Sequence, residues 1–135
     1  MVVAGWSAVT IREPWNRQLI RVRNLDASLK FYCDFLGLKE VRRKELGDEA
    51  TLVFLTDGSQ NYHIELTYNK DGRDYTIGNQ FGHLAFHVDD LDGVISDVKE
   101  RGWWFRQSKP SASSQYIFIH DPDGYDVEIL QAPSS

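Results

Sequence analysis

The chain carries the same half-domain twice, and this repeat limits its possible folds more than any other feature. Asn61-Tyr62-His63-Ile64-Glu65-Leu66 returns as Gly124-Tyr125-Asp126-Val127-Glu128-Ile129, a shift of 63 residues that lays Tyr62 on Tyr125 and Glu65 on Glu128. The opening segments repeat with a shift of 66, which lays Val22, Leu25 and Asp26 on Val88, Leu91 and Asp92. That shift also sets Arg17 opposite His83.

Each copy reads as strand, helix, then three strands. In the first, residues 18–22 read as a strand. Within 26–36, Leu29, Tyr32, Cys33 and Leu36 share one helical face, and Gly37 supplies the stop. Strand-like runs follow at 39–45, 51–56 and 62–68, separated by turns rich in Gly and Asp. The second copy predicts a strand over 83–88, then a helical face of Leu91, Val94, Ile95 and Val98 closed by Gly102. Strands over 103–107, 115–120 and 125–130 complete it. One copy buries its helix but leaves the other sheet face bare, so the copies must pair, within the chain or across chains. The expected class is α+β with two tandem βαβββ modules, 16–69 and 81–131, in one domain over 16–135. Residues 1–15 show no period and read as an N-terminal extension. The 69–81 linker is polar, and the Ser-rich loop 109–114 reads as a lid or a surface connection.

At 135 residues, the chain is long enough for one real core. A net charge of −5 offers no basic surface for a nucleic-acid backbone. No run approaches the ~18 apolar residues of a membrane span. Met1 to Trp6 lacks the basic and long apolar regions of a secretory leader, so a cytoplasmic protein is expected. The single cysteine, Cys33, excludes an internal disulfide and reads as a buried small hydrophobe.

Alternation along a strand puts Glu65 on one face with His63 and Thr67, and His83 on one face with Ala85 and His87. Glu65 and Glu128 both stand in apolar runs, where a lone carboxylate is costly without a partner. A single glutamate in such a run is usually an exposed residue of a half-buried strand. Two at equivalent positions, with His83 at the start of the next strand, point instead to a divalent cation held by carboxylate and imidazole. His87 stands about 13 Å from His83 along a strand, too far to share one ion, and reads as structural. His120 reads as part of a turn, and Trp103-Trp104-Phe105 as core packing.

These residues resemble glyoxalase I, lactoylglutathione lyase, within the vicinal oxygen chelate superfamily. The matching segments are Leu19-Ile20-Arg21-Val22 with Leu25 and Ser28 to Tyr32; Ile64-Glu65-Leu66-Thr67-Tyr68-Asn69; Phe81-Gly82-His83-Leu84; and Asp121-Pro122-Asp123-Gly124-Tyr125-Asp126-Val127-Glu128-Ile129. Together they span 17–131. The Asp-Pro-Asp-Gly-Tyr run is common across the superfamily, whereas Glu65 to Asn69, Arg21 and Gly82-His83 are closer to glyoxalase I itself.

The resemblance implies the glyoxalase/bleomycin resistance-type fold and a homodimer with sites at the subunit interface. It implies a metal held by Glu65, His83 and Glu128, three of the family's four ligand positions. Ni²⁺ or Co²⁺ is favoured over Zn²⁺ or Mn²⁺. Glu128 also matches the catalytic base, with Glu65 as ligand or second acid–base group, and Arg21 and Asn69 match contacts to glutathione. The implied reaction isomerises the hemithioacetal of methylglyoxal and glutathione to S-lactoylglutathione through an enediolate.

Arg17 departs from this pattern, standing where the family has His or Gln. A guanidinium stays protonated and cannot bind a metal. Gln18 could replace it only if a bulge turned it onto the other face. His63 could replace it from Glu65's own face. Arg17 could also pair with Glu65 or Glu128 and supply fixed positive charge. A binding or resistance protein of the same fold, or another superfamily enzyme such as an epimerase or a thiol-transfer enzyme, remains the alternative function.

Overall fold

The computed structural model describes residues 16–133, so the N-terminal extension at 1–15 lies outside the described residues. The elements are β1 (Arg17–Arg21), α1 (Leu25–Leu29) running into a π-helical turn (Lys30–Phe35), β2 (Lys39–Leu46), β3 (Ala50–Thr56) and β4 (His63–Asn69). Then follow β5 (Leu84–Val88), α2 (Leu91–Arg101), β6 (Arg106–Gln107), β7 (Tyr116–His120) and β8 (Asp126–Gln131). They form two four-stranded sheets ordered β1-β4-β3-β2 and β5-β8-β7-β6, each with its first strand parallel to its last. The two tandem βαβββ modules of the sequence reading are present. No helix among the described residues is long and apolar enough to cross a membrane.

The helix starts repeat as faithfully as the strands. Asn24 and Asp90 each stand just before a helix and accept a hydrogen bond from the backbone N–H three residues on, at 3.0 Å in both cases. These carboxylate and amide oxygens satisfy donors that have no partner inside the helix. Gly102 closes α2 at φ +71°, a left-handed conformation that a residue with a Cβ adopts only at a cost. The first helix differs from its predicted form. Its second half is widened, with the Leu36 N–H donating to the Phe31 carbonyl five residues back. The neighbours Phe31 and Tyr32 are both buried there, so Phe31 joins the core although the predicted face omitted it.

Both helices and one face of both sheets share a single core. Ile20, Val53, Leu55 and Leu66 of the first module meet Ile95, Val98, Ile117, Ile119, Val127 and Ile129 of the second. Pairing of the modules therefore occurs within the chain. Cys33 is only partly buried at the core's margin, less so than expected, and burial pushes its thiol up. The second strand of the second module, β6, is also shorter than expected. Trp103 closes α2 through its N–H to Val98 and packs on Phe35 and Phe31, which leaves only Arg106–Gln107 to pair. Phe105 packs against the core as well. Trp104 does not: it is 53% exposed and stacks on His120, which in turn pairs with Asp126 at 3.2 Å. The Ser-rich loop is held by the Gln115 side-chain amide, which donates to the Lys109 and Ala112 carbonyls.

The Asp121 to Tyr125 turn straps the modules together. The buried Tyr32 hydroxyl donates to Asp121 at 2.6 Å, and the Asp123 and Tyr125 N–H groups donate to the same carboxylate. Asp123 accepts from the Arg23 N–H at 2.8 Å, and the Tyr125 hydroxyl donates to the Arg21 carbonyl. Burial, and then Asp121 itself, pushes the Tyr32 hydroxyl far above the usual tyrosine range, so it remains a donor. Burial also pushes the Asp121 carboxyl up, against these hydrogen bonds. Tyr32→Phe removes the donor and leaves a buried carboxylate short of a partner. It is expected to lower the unfolding free energy by roughly 2 kcal/mol in urea denaturation. A change below about 0.5 kcal/mol would show that the strap adds little net stability.

Candidate active site

Alternation along the strands divides each sheet into a core face and a face that no helix among the described residues covers. On the first sheet, Ile20 and Leu66 point into the core, so Arg17, Leu19, His63, Glu65 and Thr67 share the open face. On the second, Val127 and Ile129 point inward, and His83, Ala85, His87 and Glu128 share the open face. The expected face assignments hold. His87 stands exposed, opposite Leu130 on the neighbouring strand.

The two open faces carry the same row of side chains at the same register. Across the first sheet, Leu19 faces Glu65, Glu65 faces Phe54, and Phe54 faces Arg42. Across the second, Ala85 faces Glu128, Glu128 faces Phe118, and Phe118 faces Arg106. Each phenylalanine lies under the guanidinium of its arginine, at 5.0 Å for Arg42 and 4.8 Å for Arg106. Each glutamate has a basic partner two residues before the start of its row. His83 Nε2 lies 3.1 Å from Glu128 Oε1, and its ring stands edge-on to Phe118. Arg17 Nε lies 3.7 Å from Glu65 Oε1, with Cζ 5.6 Å from the centre of Phe54. The buried Glu65 also accepts a hydrogen bond from Thr67 Oγ1 at 2.9 Å. Sequence reading missed the Phe and Arg members of both rows. Their signal was available, since both pairs repeat at a shift of 64 residues.

Among the described residues of one chain, no three His, Cys, Asp or Glu side chains converge on a common point. The structure therefore joins His83 to Glu128 and Arg17 to Glu65, and does not join these two pairs to each other. Gln18 does not reach Glu65's face: β1 runs against β4 with no shift in register from Arg17 to Arg21. His63 stands on that face directly opposite Arg17. The donor chemistry of His83 and Glu128, an imidazole nitrogen and a carboxylate oxygen side by side, suits half of a divalent cation site. On the other half, Glu65 is a suitable donor and Arg17 is not.

Two cavities flank β1 and β4. One of about 500 Å³ lies on the open face and is lined by Leu19, Leu52, Glu65, Thr67, Asn69 and Arg73. A smaller one, about 210 Å³, includes Arg21, Tyr75, Phe81 and Tyr125 in its lining. Asn69 and Arg21 thus open into different cavities. Tyr75 links them, lining the smaller one and accepting at its hydroxyl a hydrogen bond of 2.8 Å from the Asn69 amide.

Residues 15–129 match the model of the Glyoxalase/Bleomycin resistance protein/Dioxygenase superfamily. The chain is 39% identical to a probable lactoylglutathione lyase of Synechocystis sp. over 86% of its own length and 93% of the relative's. It is 38% identical to the lactoylglutathione lyase of Neisseria meningitidis, over 86% and 88% of the two chains. Among solved structures, the trypanothione-dependent glyoxalase I of Leishmania major superposes with a TM-score of 0.75 at 35% identity, over 85% and 84% of the chains. Glyoxalase I of Zea mays superposes at 0.79 and 31% identity over 90% of this chain, which spans 45% of the maize protein. The family match over residues 15–129 and the identity to lactoylglutathione lyases over most of both chains place it in the Glyoxalase/Bleomycin resistance protein/Dioxygenase superfamily as a lactoylglutathione lyase-like enzyme.

Proposed function

We propose that the chain is a metal-dependent glyoxalase I that converts the hemithioacetal of methylglyoxal and glutathione into S-lactoylglutathione. The observation that carries this reading is the pair of equivalent half-sites, each with one carboxylate on a face that no helix among the described residues covers. Two copies of the chain set in a homodimer bring the Glu65 half of one against the His83 and Glu128 half of the other. Glu65, His83 and Glu128 would then hold a divalent ion, Ni²⁺ or Co²⁺ before Zn²⁺ or Mn²⁺, which would supply Lewis acidity toward the substrate. Residues 16–135 act as one domain in this reading, with modules 16–69 and 81–131, and work in the cytoplasm.

The chain's own groups account for the proton movement. The substrate proton to be moved sits on a carbon beside a carbonyl-like carbon and is weakly acidic. Glu128 removes it from one carbon and returns it to the next, passing through an enediolate. His83 fixes the orientation of Glu128, and the edge-on Phe118 ring fixes His83. Glu65 serves as ligand or second acid–base group, held in place by Thr67 and Arg17. Arg21 and Asn69 hold the glutathione portion, with the two cavities joined at Tyr75 accepting different parts of it.

Chelation of the purified protein followed by return of single ions tests this. Hemithioacetal isomerisation should vanish on chelation and return with Ni²⁺ or Co²⁺ to a higher level than with Zn²⁺. No bound ion and no turnover under any of these conditions would favour a small-molecule binding protein of the same fold.

A further inference from the structure

We infer that the cavity between α1, the end of α2 and the end of β7 is a second small-molecule site, suited to a planar aromatic carboxylate. Its volume is about 470 Å³, within the range of small-ligand pockets, and its lining includes none of Glu65, His83 and Glu128. Phe31, Trp103 and Trp104 give it an aromatic lining, and Lys30 and Arg101 give it positive charge.

The repeat shows that this lining is not demanded by the fold. Arg106 stands opposite Phe118, so Trp104, two residues earlier, falls opposite His120, and the two rings stack at 4.3 Å and 17°. In the first sheet the equivalent place pairs Lys39 with Thr56, since Thr56 follows Phe54 by two residues as His120 follows Phe118. Lysine and threonine thus close the same strand pair without a stack. The Glu, Phe and Arg rows are repeated, whereas the next place changes from polar to aromatic. An indole left 53% exposed forgoes much of the burial by which tryptophan stabilises a fold. His120, held by Asp126 at 3.2 Å, covers one face of that indole, and no second ring covers the other among the described residues.

The charges favour an anion. Lys30 is exposed and makes no hydrogen bond or ion pair among the described residues. Arg101 lies over Trp103 at 4.9 Å and spends only its Nε on Asp97, at 2.9 Å. Asp121 also lines the cavity, but it is buried, and its carboxylate is occupied by the Tyr32 hydroxyl and by the Asp123 and Tyr125 N–H groups. The negative end of α2 is likewise covered, since the Trp103 and Gly102 N–H groups donate to the Val98 and Lys99 carbonyls. A flat ring can therefore lie on Trp104 while its carboxylate meets Lys30 and the free edge of Arg101.

Calorimetric titration of the full chain with 2-naphthoate tests this. Wild type should bind one molecule per chain, and the uncharged 2-naphthamide should bind about tenfold more weakly. Trp104→Ala should weaken naphthoate binding about tenfold, while Trp104→Phe, which keeps a ring, should stay within about threefold of wild type. Lys30→Gln removes an exposed charge without touching the core and should weaken binding about threefold. Glu128→Gln should bind naphthoate as wild type does, which separates this cavity from the open sheet face. No saturable binding by wild type, equal affinity in Trp104→Ala, equal affinity for the amide, or a loss in Glu128→Gln matching that in Trp104→Ala would each overturn the inference.

Discussion

Glu128→Gln is expected to lower kcat for hemithioacetal isomerisation by about 10³-fold or more while leaving the fold unchanged. The amide has the size and shape of the carboxylate and retains a polar contact for His83 Nε2, but it cannot accept a carbon-bound proton. The flanking Val127 and Ile129 are fully buried and point the other way, so β8 keeps its register between β5 and β7. The assay must be run at saturating metal, because the amide is also a weaker ligand and loss of the ion would imitate loss of the base. Under those conditions the deficit should fall on kcat more than on KM, as for an interaction made chiefly in the transition state. Thermal unfolding should match that of the wild type. Turnover within a few-fold of wild type at full metal occupancy would remove Glu128 as the base.

The repeat made the site's framework readable because strand alternation converts sequence spacing into a shared face. His63, Glu65 and Thr67 were placed together by that rule alone, as were His83, Ala85 and His87. Other features were hidden for identifiable reasons. The row partners Phe54/Phe118 and Arg42/Arg106 repeat at a shift of 64, between the shifts of 63 and 66 that align their neighbours, because the turns of the two modules differ in length. The widened turn at Lys30–Phe35 follows from tertiary packing of adjacent Phe31 and Tyr32, which a helical period cannot anticipate. Trp103 looked like strand because it is aromatic, yet its place against Phe31 and Phe35 ends the helix instead. The Asp-Pro-Asp-Gly-Tyr run reads locally as a turn, and only the fold reveals Tyr32 and Arg23, some 90 to 100 positions away, as its partners. Separation of the Glu65 and Glu128 half-sites is likewise invisible in sequence, since a repeat fixes equivalence and says nothing of proximity.

That separation leads to the second large effect. Co-expression of Glu65→Gln and Glu128→Gln chains is expected to restore activity that neither variant has alone. If each site joins the first sheet of one copy to the second sheet of its partner, a mixed dimer places both defects in one site. Its other site combines the intact Glu65 of one chain with the intact His83 and Glu128 of the other. Random pairing makes half of all dimers mixed, each with one working site of two, so recovery should approach about a quarter of wild-type activity by two-fold symmetry. A site built within one chain gives no recovery, because every chain in the mixture then carries a defect in its own site. Differently tagged chains purified through both tags isolate the mixed dimer, in which recovery should rise to about half. Inactivity of that doubly purified species, with each homodimer of the single variants confirmed inactive, would sink the shared site and require Glu65 to act apart from His83 and Glu128.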